Sequence, residues 1–203
     1  MVGEATGALL FVQLHSLVSR ANRPNCALIS RKLGGMTRFI VTSAGEFQTP
    51  NGVYRAALGK SGIKPEAGKV EGDGATPLGE YILRRVLYRP DRGAAPHTAL
   101  PVRIIRENDG WCDAPEDPAY NRPVRLPYRA SCEEMNRTDE LYDIVVVLSH
   151  NDDPPVSGKG SAVFLHCAKP DYTPTLGCVA LSRSDLEAVL AETRPGDVLE
   201  IRR

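Results

Sequence analysis

The sequence has no excess charge of either sign: 25 Lys and Arg residues face 25 Asp and Glu residues across 203 positions. So balanced a chain has no sequence-wide attraction for nucleic acid or an anionic membrane surface, and neither is expected as a partner. Long apolar runs are also missing. The most apolar early stretch, residues 7–18, is interrupted by Gln13 and His15 and is too short to cross a bilayer. It follows Glu4 and precedes the nearby basic residues, the reverse of the charge order in a secretory signal, so no signal peptide is read there. No CxxC pair occurs, and the five cysteines (Cys26, Cys112, Cys132, Cys167 and Cys178) are odd in number and irregularly spaced. A complete disulfide framework is therefore not implied, and at least one thiol lacks an intrachain partner. Four-ligand zinc spacing is absent too. A metal site built from His150, His166, Cys167 and Cys178 would still need a third well-placed ligand, so no metal or organic cofactor is expected. The triplet Gly59-Lys60-Ser61 lacks the earlier glycine of a phosphate loop, since position 54 is Tyr. Repeats and low-complexity segments are absent.

A chain of this length can bury one self-sufficient core and leaves no room for a second catalytic domain. Residues 1–35 differ from the rest and read as a poorly ordered extension, or as the product of a start placed too early. Residues 36–203 read as the folded domain, opening on the strand pattern Thr37-Arg38-Phe39-Ile40-Val41-Thr42.

The chemistry concentrates near the end of the chain. Ser161-Ala162-Val163-Phe164-Leu165-His166-Cys167 is an apolar run that delivers a histidine, and a Pro-containing loop then leads to Thr175-Leu176-Gly177-Cys178-Val179. Twelve positions separate His166 from Cys178, enough for the chain to fold back and set imidazole against sulfur. A thiol becomes a strong nucleophile only as thiolate, and a neighbouring imidazole can take its proton. Gly177 allows unusual φ angles and close approach of a substrate carbonyl. The amides of Leu176, Gly177 and Cys178 are candidate donors to a developing oxyanion. Taken singly, Cys178 is more often a small packed hydrophobe and His166 a satisfied core histidine; their combination with the glycine and the loop favours catalysis.

Between Met36 and this site the chain reads as short strands and turns, with an early hairpin around Asn51-Gly52, strands over residues 53–58, 81–88 and 102–106, and a strongly apolar buried strand at the end of residues 140–150. Residues 59–74 read as a mobile solvated loop and residues 110–124 as a long irregular loop holding the sole Trp. Residues 131–139 suggest a short helix. Residues 182–192 give a convincing one, with Ser182 and Asp185 as a capping pair and Leu186, Val189 and Leu190 as its apolar stripe. Residues 198–202 close the sheet. The fold class expected is a single, mainly β domain of two packed sheets with one or two short helices.

The pattern His166…Thr175-Leu176-Gly177-Cys178-Val179, preceded by Thr76-Pro77-Leu78-Gly79-Glu80-Tyr81, resembles the L,D-transpeptidase catalytic domain of the YkuD type. The resemblance runs from about residue 36 to the end and includes the Gly110-Trp111-Cys112-Asp113 and Tyr120-Asn121-Arg122-Pro123-Val124 segments. It implies a YkuD-like two-sheet β-sandwich, with Cys178 as nucleophile and His166 as base and later acid. The substrates it implies are peptidoglycan stem peptides in bacterial cell-wall cross-linking or remodelling, handled through a Cys thioester acyl-enzyme. Leu176, Thr175, Tyr172 and Trp111 are the candidates to line the substrate groove. The resemblance also implies a cell-envelope or periplasmic location, and a monomer is expected.

Three positions depart from the family's usual residues. Ala180 stands where an arginine is common, Leu176 where His, Lys or Arg is frequent, and Cys167 where Gly or Ser is frequent. Cysteine peptidases of the papain and NlpC types place Cys before His, and caspases carry Gln-Ala-Cys, so both fit less well. Two alternatives remain open: a cysteine carboxypeptidase or hydrolase of the same peptides, and a catalytically silent peptidoglycan-binding module.

Overall fold

Alternating burial sets the architecture: in β1 (Arg38–Thr42) Phe39 and Val41 are fully buried while Arg38 is exposed. The computed structural model describes residues 35–203, so the expected extension and its apolar stretch at residues 7–18 lie outside the described residues. β1 continues through a turn into β2 (Glu46–Thr49) and then β3 (Gly52–Ala57). The Thr49 hydroxyl closes that second turn by accepting from the amides of Asn51 and Gly52, each at 3.1 Å. Next come β4 (Ile63–Pro65), the long β5 (Thr76–Tyr88) and β6 (Val102–Ile104). They are followed by β7 (Asp109–Cys112), β8 (Pro123–Arg125), β9 (Cys132–Glu134) and β10 (Ile144–Leu148). The last elements are β11 (Phe164–Cys167), β12 (Val179–Leu181), α1 (Arg183–Glu192) and β13 (Val198–Arg202).

The layers are joined because β5 serves both. Its residues 79–82 pair with β13 and its residues 83–88 with β10. From β13 the order runs through β1, β2 and β3 to β12, β11 and back to β10. Phe39, Phe47, Leu83, Leu165, Leu181 and Leu199 are among the side chains that fill the space between. The mainly β fold with packed sheets is therefore present. The helix is present too: the Ser182 hydroxyl accepts from the Asp185 amide at 3.1 Å, and Leu186, Val189 and Leu190 are fully buried in the same core. Among the described residues no helix is long and apolar enough to cross a membrane.

Three local expectations are corrected. Residues 131–139 form no helix. Glu133 and Glu134 in β9 pair instead with Trp111 and Gly110 of β7, and β8 completes a three-stranded sheet. The same sheet gives strand structure to both ends of the expected 110–124 loop. Its physical basis is burial: Trp111 and Met135 pack with Tyr142 and Phe164 in a second apolar cluster, which outweighs the turn-rich composition around them. Residues 59–74 are likewise structured rather than solvated throughout. Lys69, 3% exposed, donates to the Asp73 carboxylate at 2.7 Å, and that carboxylate also accepts from Lys64 and the amides of Val70 and Ala75. Burial alone would raise the Asp73 carboxyl, but these donors hold it well below the usual range.

Candidate active site

Strand pairing brings the two candidate residues to one face. β11 runs parallel to β12 with His166 opposite Ala180 and Leu165 opposite Val179. Leu165, Cys167, Val179 and Leu181 point into the main core. With a period of two, Phe164, His166, Cys178 and Ala180 then share the opposite face, where Cys178 packs against the second cluster. His166 and Cys178 are one pleat out of register, and both line a cavity of about 330 Å³ together with Tyr142, Arg137, Lys169 and Leu176.

The imidazole is 4% exposed, and its Nδ1 lies 2.8 Å from the Cys167 carbonyl oxygen. A carbonyl only accepts, so Nδ1 carries the proton and Nε2 keeps the lone pair that a base needs. Tyr142 meets the ring edge-on at 5.4 Å. Burial, aided by the Arg137 cation, pushes the imidazole down to about 4 against the pull of the Cys167 carbonyl. At neutral pH the ring is uncharged.

The thiol has its own partners. Cys178 Sγ donates to the Ala162 carbonyl oxygen at 3.1 Å and accepts from the Phe164 amide at 3.3 Å. Burial pushes it up to about 12, and the nearby Glu133 carboxylate adds to the rise. Burial therefore weighs against a resting thiolate–imidazolium pair. His166 is buried and Cys178 is partly exposed where it lines the cavity, and desolvation on this strand face favours the neutral form of each.

Thr175 anchors the loop before the cysteine. Its backbone bonds Leu58 and Lys60, each at 2.9 Å, while its hydroxyl donates to the Cys178 carbonyl at 2.7 Å and accepts from the Gly177 amide at 3.1 Å. That commits the Gly177 amide, so of the three candidate oxyanion donors Leu176 and Cys178 are the ones without an internal acceptor among the described residues. Gly177 is needed for a different reason. Its φ is +137°, and a Cβ there would stand 3.0 Å from the Ala75 carbonyl oxygen. Thr76 ties the two sequence motifs together, since its hydroxyl accepts from the Gly59 amide at 2.8 Å and reaches the Cys178 carbonyl at 3.4 Å.

Leu176, 74% exposed, stands at the cavity mouth. Two other candidates do not line the cavity. Trp111 is buried against Phe164 with ring centroids 5.0 Å apart, and its indole N–H donates to Asn121 Oδ1 at 2.9 Å; a large apolar ring with its one donor satisfied belongs to the core. Tyr172 lies under the Arg55 guanidinium at 4.3 Å, at the far end of the loop from Cys178. His150 and Asp152 are also engaged elsewhere, with the Lys159 carbonyl and Arg84 respectively.

Sequence reasoning missed three contributors. Asn121 Oδ1 accepts from the amide of Ala162 at 3.1 Å, holding a non-glycine residue at φ +50° so that its carbonyl meets the thiol. Tyr142 packs on His166 and donates to Glu133 at 2.8 Å. Glu133 lines both the first cavity and a second one of about 210 Å³, which also reaches Cys178 and carries Glu71 and Asp113. The Tyr120-Asn121 sequence was visible, but nothing in its spacing points at residue 162. Among the described residues no group of three or more His, Cys, Asp or Glu side chains is arranged to hold a metal ion.

The family model for the L,D-transpeptidase catalytic domain (YkuD) matches residues 21–201. No curated protein matches. Similar solved structures include L,D-transpeptidase 1 of Mycobacterium tuberculosis, 15% identical with a TM-score of 0.40, covering 84% of this chain and 60% of that one. L,D-transpeptidase 3 of the same organism is 15% identical with a TM-score of 0.41, covering 84% and 62%. An L,D-transpeptidase from Mycobacterium smegmatis is 14% identical with a TM-score of 0.37, covering 84% and 60%. The chain thus spans about three fifths of the length of these structures.

Proposed function

The chain belongs to the L,D-transpeptidase catalytic domain family, YkuD, and on that premise we propose that Cys178 and His166 carry out acyl transfer on peptidoglycan stem peptides. The Cys178 thiol leaves the Ala162 carbonyl and passes its proton to His166 Nε2 as sulfur adds to the substrate carbonyl carbon. The oxyanion that forms is met by the amides of Leu176 and Cys178. The imidazolium then protonates the leaving amine, the C–N bond breaks and a thioester remains. An incoming amine attacks the thioester carbon, His166 takes its surplus proton, and the departing sulfur recovers a proton from the imidazolium.

The observation that carries this reading is the placement of Cys178 between two cavities. One holds His166 with Arg137 and Lys169; the other holds Glu71, Asp113 and Lys69, the last paired with Asp73, and Glu133 lines both. Transfer from a donor to an acceptor needs two approaches to one sulfur, whereas hydrolysis needs only one and water. The carboxylates of the second cavity suit a cationic amine. Arg137, paired bidentately with Asp139 at 2.7 and 2.8 Å, lines the cavity with His166. An envelope location follows from this substrate and is part of the proposal.

Intact-protein mass spectrometry with a tetrapeptide-stem donor, with and without an amine acceptor, tests it. The expected result is a thioester adduct on Cys178, released faster by amine than by water, and lost in both Cys178→Ala and His166→Ala while Cys167→Ala retains it. Absence of any adduct, or labelling of Cys167 or Cys112 instead, rejects the assignment. Release by water alone would point to the carboxypeptidase reading.

A further inference from the structure

A groove of about 680 Å³ shares no lining residue with either cavity around Cys178. Its floor is apolar, with Ile105, Trp111 and Met135 each less than 5% exposed. Its walls carry Arg85, Arg103, Arg106 and Arg125, against a single carboxylate, Asp109. Asp109 is taken by Arg125 at 2.8 Å. Among the described residues Arg85, Arg103 and Arg106 have no carboxylate partner. A smaller adjoining groove shares Arg85 and Trp111 and adds Arg84 and Arg122; Arg84 is paired with Asp152 at 2.8 Å, which leaves Arg122 without one.

On a chain with equal numbers of acidic and basic residues, this concentration of unpaired guanidinium groups is a local feature, invisible in the net charge. It is unfavourable in the free protein. Arg85 is half-buried over the Trp111 ring at 5.8 Å, and its pKa is pushed down by burial and then by the neighbouring Arg103 and other arginines, with Asp152 opposing. Like charges held together over an apolar floor are relieved by an anion that bridges them, and the guanidinium fork pairs bidentately with phosphate and carboxylate oxygens. The volume falls in the range of small-molecule sites, roughly 300–1,000 Å³.

We propose that this groove is a binding site for a small organic anion carrying two or more phosphate or carboxylate groups on an apolar body. The charged groups span Arg85, Arg103 and Arg106, and the apolar part rests on Ile105 and Met135. The site is independent of the thiol chemistry, so it stands or falls separately from the transpeptidase reading.

Trp111 is the only tryptophan in the chain and lies under Arg85, which makes its emission a built-in reporter. The test titrates the full-length protein with inorganic pyrophosphate and, separately, with tricarballylate, at low and high salt, with calorimetry as a second readout. Saturable binding of at least one probe is expected, weakened by salt. Binding should be about ten-fold or more weaker in the Arg103→Gln/Arg106→Gln double variant, whose side chains are exposed and whose loss leaves the core untouched. Arg129→Gln, outside the groove and paired with Asp117, should bind as wild type. Preference for pyrophosphate identifies a phosphorylated ligand, and preference for tricarballylate a polycarboxylate. No saturation with either probe, or equal affinity in the double variant, overturns the proposal.

Discussion

The Cys178 thiol is held by the Ala162 carbonyl oxygen, 3.1 Å away, while the His166 ring lines the same cavity from one pleat further along. On the proposed mechanism the nucleophile is thus parked rather than primed. Attack requires the sulfur to leave Ala162 and turn toward Nε2, and the frame that sets its resting position is Asn121, which holds Ala162 at φ +50°.

Asn121→Ala should therefore act on both stability and reactivity. The buried amide bonds the indole of Trp111, the amide of Ala162 and the carbonyls of His150 and Asn151. Leaving such groups unsatisfied costs about 1–3 kcal/mol each, so a loss of about 3 kcal/mol or more in urea unfolding is expected. The rate of Cys178 alkylation should change in parallel, and an unchanged unfolding midpoint would contradict the role given to Asn121.

Thiol reactivity gives a second check. With burial pushing Cys178 up to about 12, iodoacetamide should label it slowly at pH 7 and faster at each step upward, without a plateau below pH 10. Peptide mapping separates it from Cys132 and Cys167, both pushed up to about 11 by burial. Rapid labelling of Cys178 at neutral pH would show a resting thiolate and revive the ion-pair description.

Acid stability should bear the mark of two buried neutral imidazoles. Burial lowers both His166 and His150 to about 4, so between pH 6.5 and 4 the unfolded chain binds more protons than the folded one. Stability is then present above pH 6.5 and lost as the pH falls through that window, on the order of a few kcal/mol in total. His150→Gln and His166→Gln should each flatten the decline in pH-dependent urea unfolding; an unaltered slope in both would refute it.

Gly177→Ala should cripple the site without unfolding the domain. The added Cβ meets the Ala75 carbonyl at 3.0 Å, in a backbone region that side chains rarely adopt. Strain of about 1–3 kcal/mol is expected, which the loop relieves by shifting the Leu176 and Cys178 amides. Adduct formation should fall roughly ten-fold or more with far-UV circular dichroism unchanged. Wild-type acylation in this variant would remove the loop geometry from the mechanism.

Much of this was legible in the chain itself. The alternation in Phe39-Ile40-Val41, the continuous apolar run Ile144–Leu148 and the Ser182 cap each encode their element locally, and each appears where expected. The residues around Cys112 and Cys132 misled because their turn-rich composition carries no trace of the Trp111, Met135 and Phe164 packing that turns them into a sheet. Trp111 and Tyr172 misled for a related reason: an aromatic near a site in sequence can face the core or a distant arginine in space.

By itself, then, the sequence determined the order of histidine and cysteine, the period-two faces that let them share a side, and the glycine the bend requires. Only the tertiary structure decided their protonation, the thiol's partner and the cavities on either side. A side chain's period follows from its neighbours in the chain, whereas its exposure to water and its hydrogen-bond partners come from residues such as Asn121, Tyr142 and Glu133 that folding alone brings near.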